Sequence, residues 1–469
     1  MRDDFIERFR AALKIKTDWP AEAKTGDTEA EKPLLDFQNF LAKTYPSFHL
    51  CAERQVLSPY SVVYRWPGTG VKMAGKETGT DDNLPVLILG HYDVVPAETA
   101  KWSIDPFGAE FKDNYIYGRG AIDMKNIVIS IMENAESLCN RGFKPKRDVW
   151  IILGGDEERT GLLGARETAK WLGNYPNRGS ENGKGIRFSF ILDEGTPIAK
   201  DQIKGINKPL ALVGIEEKGY LSLQISVDQK PGHASQPPED QAAAILARAL
   251  LRLSGRPFPW HLTPTVEAFF RELGSQSSGA TRFVMKHARF LGPLFYKAAA
   301  VSPATRALLR TTMAMTQLEG SAADNVMPST VSSVINMRLL PPWTIDTAIN
   351  RVKNIINDNR VNVSVYGLGT NPVQAGPDQA LMNSPGWKEI INALGKVFPN
   401  RSDVPVLPFL MLATTDSRHF QNCSKYIYRF SPMVVDPGEL GRIHGHDERI
   451  SLENLELCLQ FYANLLEQL

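Results

Sequence analysis

Residues 85–93 read Pro-Val-Leu-Ile-Leu-Gly-His-Tyr-Asp, an apolar run that ends in a histidine and an aspartate. The run lacks strict polar–apolar alternation, which is typical of a strand that is buried on both faces of a sheet. Residues 148–153 and 187–192 read the same way, and acidic residues follow both runs. Between these apolar runs, residues 127–138 and 162–172 have apolar side chains at helical spacing. Strands that alternate with helices predict an α/β fold with a mixed, largely parallel sheet and helices on both faces.

The pattern changes after about residue 213, which predicts a second domain. Residues 220–227 alternate polar and apolar side chains, as a strand with one exposed face does. The further elements predicted here are a helix over 241–253, a strand over 331–338, a helix over about 344–357 and a strand over 361–366. We therefore predict an inserted α+β domain over 214–368, with a helical extension at about 256–325. The catalytic domain would consist of residues 1–213 and 369–469.

Composition excludes several classes of protein. The chain has 469 residues, 43% of them apolar, and a net charge of +1, so no basic surface for nucleic acid is indicated. No run approaches the roughly 18 apolar residues of a membrane span, and the charged start at Met1-Arg2-Asp3-Asp4-Phe5 does not resemble a signal peptide. Four scattered cysteines favour a reducing compartment over a disulfide framework or a cysteine zinc site. We predict a cytoplasmic protein without a membrane span.

Clusters of residues that can bind metal ions lie along the chain, most of them directly after predicted strands. They are His91-Tyr92-Asp93, Asp123, Asp156-Glu157-Glu158, Asp193-Glu194 and His444-Gly445-His446. Each has a structural alternative when it is read alone: a hydrogen-bonded His–Asp pair, a helix N-cap at Asp123, or a solvated acidic loop. Solvation alone hardly explains three strands that end in such residues, because adjacent acids repel one another. The set predicts a metal site at one edge of the sheet.

The spacing within two clusters indicates a division of roles. Asp93 lies two residues after His91, on the same face of an extended segment, so it could accept the second imidazole N–H and orient the ring. Two metal ions that share one carboxylate lie about 3.5–4 Å apart and hold a water molecule between them. That water needs a general base that is not a ligand. Glu157 and Glu158 suit this need, since one can take the proton while the other binds metal.

The chain resembles, over nearly its whole length and in order, the di-zinc peptidase and amidohydrolase family of aminoacylase and carboxypeptidase S. The motifs that carry the resemblance are His91-x-Asp93, Gly118-Arg119-Gly120-x-x-Asp123-x-Lys125, Asp156-Glu157-Glu158, Leu192-Asp193-Glu194-Gly195, Gly232-His233-Ala234-Ser235 and His444. Further motifs are similar to the carboxypeptidase S branch, which includes enzymes that cleave or form N-fatty-acyl amino acids. They are Arg310-Thr311-Thr312, Asn325-Val326-Met327-Pro328, Thr415-Asp416-Ser417-Arg418, Tyr428-Arg429-Phe430 and Arg442-Ile443-His444-Gly445.

The resemblance implies two bound Zn²⁺ ions, for which Co²⁺ or Mn²⁺ could substitute. Asp123 would bridge the two ions. His91 and Asp193 would complete one metal position, and Glu158 and His444 the other. The inserted domain would serve as a lid or dimerisation domain, which makes a homodimer possible.

The resemblance also implies roles for residues that do not bind metal. Glu157 would be the general base and later the acid toward the leaving amine, while Asp93 would orient the first histidine. His233 would stabilise the oxyanion, in the family often from a partner subunit. Asn325 and Arg338 would face the substrate, with Arg338 as a fork for its carboxylate. From the residues alone, His233 could equally hydrogen-bond within a loop, and Arg338 could be a surface residue of a strand.

Two histidine-containing segments leave choices open. The family pattern His-x-x-x-Glu fits His444 with Glu448, so His444 is the predicted ligand and His446 is expected to be exposed or nearby. His419 has no assigned role. Residues 256–325 hold eight Lys and Arg against four Asp and Glu, together with many aromatic residues. This segment either forms a helical pair with an ordinary core or lines an apolar pocket that receives an acyl chain or a bulky side chain.

The predicted function is that of a di-zinc metallohydrolase. It would cleave an amide bond next to a free carboxylate, as in N-acyl amino acids, by attack of a zinc-bridged hydroxide. The alternative is an exopeptidase, a carboxypeptidase or dipeptidase, that acts on short peptides. A catalytically silent binding protein and a non-metal α/β enzyme are further alternatives. Glu157 and the five predicted ligands argue against the silent protein.

Overall fold

The computed structural model describes residues 3–20, 25–70, 84–176, 185–203, 206, 208–300, 302–376, 378–381, 383–400 and 403–469. The helices are α1 (Asp3–Lys14), α2 (Thr28–Thr44), α3 (Pro46–Cys51), α4 (Lys125–Asn140), α5 (Ala165–Asn174), α6 (Ala242–Gly255), α7 (Pro264–Ser275), α8 (Gly279–Lys286), α9 (Ala288–Leu291), α10 (Pro293–Ala299), α11 (Pro303–Leu309), α12 (Ile345–Ile356), α13 (Trp387–Val397), α14 (Pro437–Leu440) and α15 (Leu452–Gln468). In this described part of the chain, no helix is long and apolar enough to cross a membrane.

The described residues also form strands of two to ten residues. They are β1 (Glu53–Ser58), β2 (Ser61–Trp66), β3 (Val86–His91), β4 (Phe111–Lys112), β5 (Tyr115–Tyr117), β6 (Val149–Gly154), β7 (Ile191–Ala199), β8 (Leu210–Glu217), β9 (Gly219–Asp228), β10 (Gly232–His233), β11 (Thr312–Glu319), β12 (Val326–Met327), β13 (Thr330–Leu339), β14 (Val361–Val365), β15 (Val406–Met411), β16 (Ile427–Val435) and β17 (Arg449–Ser451). The chain forms two compact units. The first comprises residues 1–215, 375–408 and 415–469, and the second comprises 216–374 and 409–414.

An eight-stranded mixed sheet runs in the order β1-β2-β6-β3-β7-β16-β8-β15. The four neighbours β6, β3, β7 and β16 are parallel, whereas β1, β2 and β8 pair in antiparallel fashion. Parallel strands bring their carboxyl ends to the same edge of a sheet, where α/β proteins place their functional groups. His91, the last residue of β3, lies opposite Gly154, the last residue of β6. The predicted mixed, largely parallel α/β sheet is confirmed.

Helices cover both faces of this sheet, as predicted. On one face, Ile127 of α4, Ile390 of α13 and Phe461 of α15 are buried in one large core. On the other face, Leu172 of α5 packs in a smaller core with Trp150. Burial on both faces explains why the central strands are almost continuously apolar.

The acidic pair Asp193-Glu194 lies inside a strand rather than after one. The sequence predicts a strand over 187–192, but β7 spans Ile191–Ala199. β7 pairs with β3 only at its first two residues, while its pairing with β16 continues with a shifted register. Gly195 permits this close approach, because a Cβ there would lie 2.3 Å from the carbonyl carbon of Arg429. The predicted strand end was wrong, and the acids lie at an irregularity within the sheet.

The second unit contains a four-stranded antiparallel sheet in the order β11-β13-β9-β14. Leu246 of α6 and Val352 of α12 pack with Leu223 and Ile335 of the sheet in one core. Five short helices, α7 to α11, follow α6 in the chain and precede β11.

Candidate metal centre

Asp123 lies between two histidines at the carboxyl edge of the parallel strands. Its Oδ1 is 3.1 Å from Nε2 of His91, and its Oδ2 is 3.1 Å from Nε2 of His444. Helix α4 begins at Lys125, and the residue at its N-cap is Met124, so Asp123 does not cap the helix. A carboxylate whose two oxygens face different imidazoles has the arrangement of a ligand that bridges two metal ions.

Two groups of side chains that share Asp123 could each hold a metal ion. Oε1 of Glu194 lies 3.3 Å from Nε2 of His91, and Oε1 of Glu158 lies 3.1 Å from Nε2 of His444. The potential ligand atoms of each group lie within 4.8 Å of one another. His446 is exposed and belongs to neither group. The predicted ligands that the structure brings together are His91, Asp123, Glu158 and His444.

Asp193 is the predicted ligand that the structure does not bring into either group. Its carboxylate accepts the backbone N–H of Ser417 at 2.8 Å and that of Glu194 at 2.9 Å. Successive residues of a strand point to opposite faces, so one acid of an adjacent pair can face the centre. Glu194 takes that place. The acidic pair marked the site in the sequence, but the choice between its members depends on the register of β7.

Asp93 holds the turn that carries the two glutamates after β6. Its two carboxylate oxygens accept the backbone N–H groups of Glu157 at 3.2 Å and Glu158 at 3.1 Å. Nδ1 of His91 donates to the backbone carbonyl of Asp93 at 3.0 Å, whereas the nearer carboxylate oxygen is 3.4 Å away. Asp93 therefore orients His91 chiefly through its main chain and leaves Nε2 facing the centre.

A buried ion pair organises the other side of the centre. Nη1 of Arg119 donates to Oε2 of Glu448 at 2.6 Å. Oε1 of Glu448 accepts the backbone N–H groups of Ile122 at 2.8 Å and Asp123 at 3.3 Å. Nη2 of Arg119 donates to the carbonyl of Gly445 at 2.9 Å, next to the second histidine. The sequence indicated Glu448 only as part of a motif, and its positioning role comes from these contacts.

Burial and mutual repulsion shift the pKa values of the acids in the centre. Burial raises the pKa of Glu194 to about 8, and the charge of Asp123 adds to the shift. Burial and the nearby Glu194 raise the pKa of Glu157 well above its usual range. Burial would also raise the pKa of Asp123, but hydrogen bonds from His444 and His91 outweigh it and lower that pKa. A divalent cation would offset this repulsion, and imidazole with carboxylate ligands suits Zn²⁺, Co²⁺ or Mn²⁺.

The turn of Glu157 and Glu158 ends at Thr160, whose φ is +87°. A β-branched residue in this left-handed region is strained by about 1–3 kcal/mol, so its surroundings must hold it there. The carbonyl of Thr160 accepts hydrogen bonds from Nη2 of Arg418 at 2.7 Å and Nε2 of His419 at 2.9 Å. Burial lowers the pKa of His419 to about 4, so its imidazole is neutral at pH 7 with the proton on Nε2. These two donors, which sequence patterns left without a role, fix the end of the turn.

The predicted oxyanion-stabilising histidine and the two predicted substrate residues lie in the second unit. His233 is exposed in β10, and its Nδ1 accepts the backbone N–H of Ser235 at 3.3 Å. The backbone N–H of Ala234, the residue after His233, donates to the carbonyl of Asn325 at 3.0 Å. Arg338 lies in β13, and its guanidinium carbon is 4.9 Å from the centroid of the Tyr220 ring.

Comparisons with known proteins agree with the fold. A family model described as Peptidase family M20/M25/M40 matches residues 87–468. The chain is 35% identical over 470 residues to the N-fatty-acyl-amino acid synthase/hydrolase PM20D1 of Xenopus tropicalis, with 99% of this chain and 86% of that protein covered. It is 34% identical over 467 residues to the probable carboxypeptidase S-like 2 of Dictyostelium discoideum, with 99% and 85% covered. The M20 family metallo-carboxypeptidase Sso-CP2 from Sulfolobus solfataricus shares the fold, with a TM-score of 0.70 at 16% identity and coverage of 100% and 99%.

We expect His419→Leu to weaken Zn²⁺ binding by about tenfold or more, because loss of this donor loosens the turn that carries Glu158. His419→Gln retains an N–H donor and should restore most of the affinity. The measurement is competition for Zn²⁺ with a chromophoric chelator. The matched control is His49→Leu, which removes a similar imidazole contact, 2.7 Å long, to the carbonyl of Tyr45. Equal Zn²⁺ affinity in His419→Leu and the unsubstituted protein would contradict the role of His419.

Proposed function

The chain belongs to peptidase family M20/M25/M40, and on that premise we propose that it hydrolyses N-acyl amino acids at the amide bond next to the free carboxylate. Membership makes the protein a metal-dependent hydrolase of amide or peptide bonds. The Xenopus relative, named as an N-fatty-acyl-amino acid synthase/hydrolase, supports the substrate class. The observation that carries the proposal is the placement of Asp123 between His91 and His444, which leaves Glu157 outside both metal groups.

We propose Zn²⁺ for both groups, with Co²⁺ or Mn²⁺ as possible substitutes. The residues that would hold the ions are His91, Asp123 and Glu194 at one position, and Asp123, Glu158 and His444 at the other. This assignment replaces Asp193 by Glu194. Bound metal ions would polarise the scissile carbonyl and lower the pKa of water.

In the proposed reaction, Glu157 transfers the proton. Its backbone N–H donates to the carboxylate of Asp93 at 3.2 Å, which fixes the backbone from which the side chain of Glu157 extends. Its carboxylate is not needed in either metal group, so it can accept a proton from the attacking water. It then donates that proton to the nitrogen of the leaving amine. Amide and water thus become a free carboxylate and a free amine.

We propose that His233 stabilises the oxyanion and that Asn325 and Arg338 bind the substrate. Nδ1 of His233 accepts the backbone N–H of Ser235, which favours the tautomer with its proton on Nε2. Nε2 can then donate to an oxyanion. The planar guanidinium of Arg338 can bind a carboxylate through two hydrogen bonds. Loss of the rate in His233→Ala and a raised KM in Arg338→Met would support these roles, and unchanged kinetics in both would remove them.

An exopeptidase acting on short peptides is the second candidate. The Dictyostelium relative, named as carboxypeptidase S-like, favours it. An N-acyl amino acid and a peptide with a free C-terminus both present an amide next to a carboxylate. The centre therefore suits both substrates.

We also propose a homodimer that forms through the second unit. Its strand β11 lies at an edge of the four-stranded sheet, and Leu318 in it is 71% exposed. An edge strand presents unpaired backbone groups that can pair with another chain. A monomeric mass by sedimentation would exclude this proposal. The cytoplasmic assignment stays a prediction from cysteine use, and all four cysteines carry free thiols.

We expect Glu194→Gln to weaken Zn²⁺ binding by about 100-fold or more, because it removes a charged ligand from one metal position. Asp193→Asn keeps the shape of the side chain and one of the two oxygens that accept backbone N–H groups, and it removes no ligand from either group, so it should weaken binding less. Metal stoichiometry after dialysis against a chelator compares the two variants. Retained metal in Glu194→Gln together with lost metal in Asp193→Asn would return the ligand role to Asp193.

Glu157→Gln should keep its metal and lose turnover. The side-chain amide of the glutamine cannot accept the proton from water, so we expect kcat to fall by a factor of about 10²–10⁴. The matched control is Glu167→Gln, at an exposed glutamate of α5 that should be neutral for both readouts. Metal analysis and kinetics on the same samples make the comparison. If Glu157→Gln keeps the full rate, another group is the base.

A hydrolysis screen decides between the two candidate substrates. N-acyl amino acids, with acyl chains from acetyl to long-chain, would be compared with dipeptides and longer peptides on the same metal-loaded protein. We expect kcat/KM to be higher for N-acyl amino acids and to rise with chain length, because apolar surface is buried. Higher values for peptides would establish the exopeptidase instead. No hydrolysis of any of these amides by metal-loaded protein would overturn both.

A further inference from the structure

A cavity in the second unit combines an apolar lining with two arginines. Its volume is about 520 Å³, within the range of cavities that bind small molecules. It lies where the end of α6, the end of α11 and the start of β11 meet. The apolar side chains of its lining are Leu253, Pro257, Pro303, Met313, Met315 and Ile335. The charged side chains described in the lining are Arg306 and Arg310.

The guanidinium of Arg310 is held in place by an aromatic stack. Its central carbon lies 3.4 Å from the centroid of the Trp260 ring. Trp260 in turn stacks on Tyr296, with ring centroids 5.6 Å apart and planes inclined by 8°. Among the described residues, the buried Nε of Arg310 has no hydrogen-bond partner. A planar cation that is stacked in this way is ordered before any ligand arrives, so it loses little freedom on binding.

The backbone that carries Arg310 is fixed from two sides. The buried ammonium of Lys218 donates to the carbonyls of Ala307 at 2.9 Å and Arg310 at 2.8 Å. The hydroxyl oxygen of Thr311 accepts the backbone N–H of Leu340 at 2.8 Å. The end of α11 and the start of β11 therefore form a rigid wall of the cavity.

The charges of this wall favour an anion. None of the described lining residues is acidic. Burial and the neighbouring Arg306 lower the pKa of Arg310, as expected where two cations lie close together. The described lining of the cavity therefore supplies no acidic partner for these two charges.

We propose that this cavity binds an amphipathic carboxylate, with its alkyl chain against Met313, Met315 and Ile335 and its head group on Arg306 and Arg310. The planar fork of arginine matches the two oxygens of a carboxylate. Each methylene that the apolar wall buries should tighten binding about three- to fourfold. All residues of this cavity lie in the second unit, so binding there does not depend on the proposed reaction.

The experiment is displacement of a dansyl-labelled undecanoate from the full chain, followed by fluorescence. Competitors are acetate, hexanoate, decanoate, dodecanoate and dodecanol, all below micelle concentrations. We expect affinity to rise along the acid series and dodecanol to compete at least tenfold more weakly than dodecanoate. Arg310→Met and Arg306→Met should each weaken dodecanoate binding about tenfold or more.

The matched control is Arg271→Met, at an exposed arginine of α7 in the same unit that is not part of this lining. It should bind dodecanoate as the unsubstituted protein does. Thermal unfolding checks each variant, and the exposed Arg306 keeps the test available if Arg310→Met does not fold. The proposal is overturned if dodecanol equals dodecanoate, if folded Arg306→Met binds dodecanoate at full strength, or if no acid displaces the probe.

Discussion

Four carboxylates gathered at one edge of the main sheet are the constraint on which the first unit depends. Asp123, Glu157, Glu158 and Glu194 lie around two imidazoles, and burial contributes to the pKa of each carboxyl. Two like charges 4 Å apart repel by about 4 kcal/mol at the effective dielectric constant near a protein surface. Where no cation offsets this repulsion, protonation relieves it, as the raised pKa values of Glu157 and Glu194 indicate. The surrounding residues must therefore hold the acids in position against their own electrostatics.

Two further carboxylates hold these acids in place. Asp93 accepts the backbone N–H groups at the start of the turn that carries Glu157 and Glu158. Glu448 accepts the backbone N–H of Asp123, a residue 325 positions away in the chain. Burial raises the pKa of Glu448, while the charge of Arg119 and the backbone N–H of Ile122 oppose that rise. The centre can thus form only after the two ends of the first unit have come together.

The ends of β3 and β6 could be predicted from the sequence, because an apolar run and the metal-binding residues that follow it are both local signals. The apolar runs before His91 and Asp156 predicted β3 and β6, and the residues just beyond them lie in the centre. The choice of Glu194 over Asp193 could not be predicted, because it depends on how β7 pairs with β16. β8 was missed for another reason: it ends in Glu216 and Glu217, which are 3% and 1% exposed. Charged residues are mostly exposed, so no sequence pattern indicates that these two are buried.

Two buried lysines of the described residues serve as structural ties, and the half-buried arginine of the cavity differs from them in its surroundings. Lys125 donates to the carbonyls of Ala12 and Ile15, and Lys218 likewise donates to two carbonyls. Burial lowers the pKa of each lysine to about 7, but their hydrogen bonds tie one segment of backbone to another. Arg310 keeps a buried donor without a partner among the described residues and faces an apolar cavity. Its guanidinium lies beside the second cation Arg306, and the described lining of the cavity contains no acidic residue, which is the physical reason to expect an external anion.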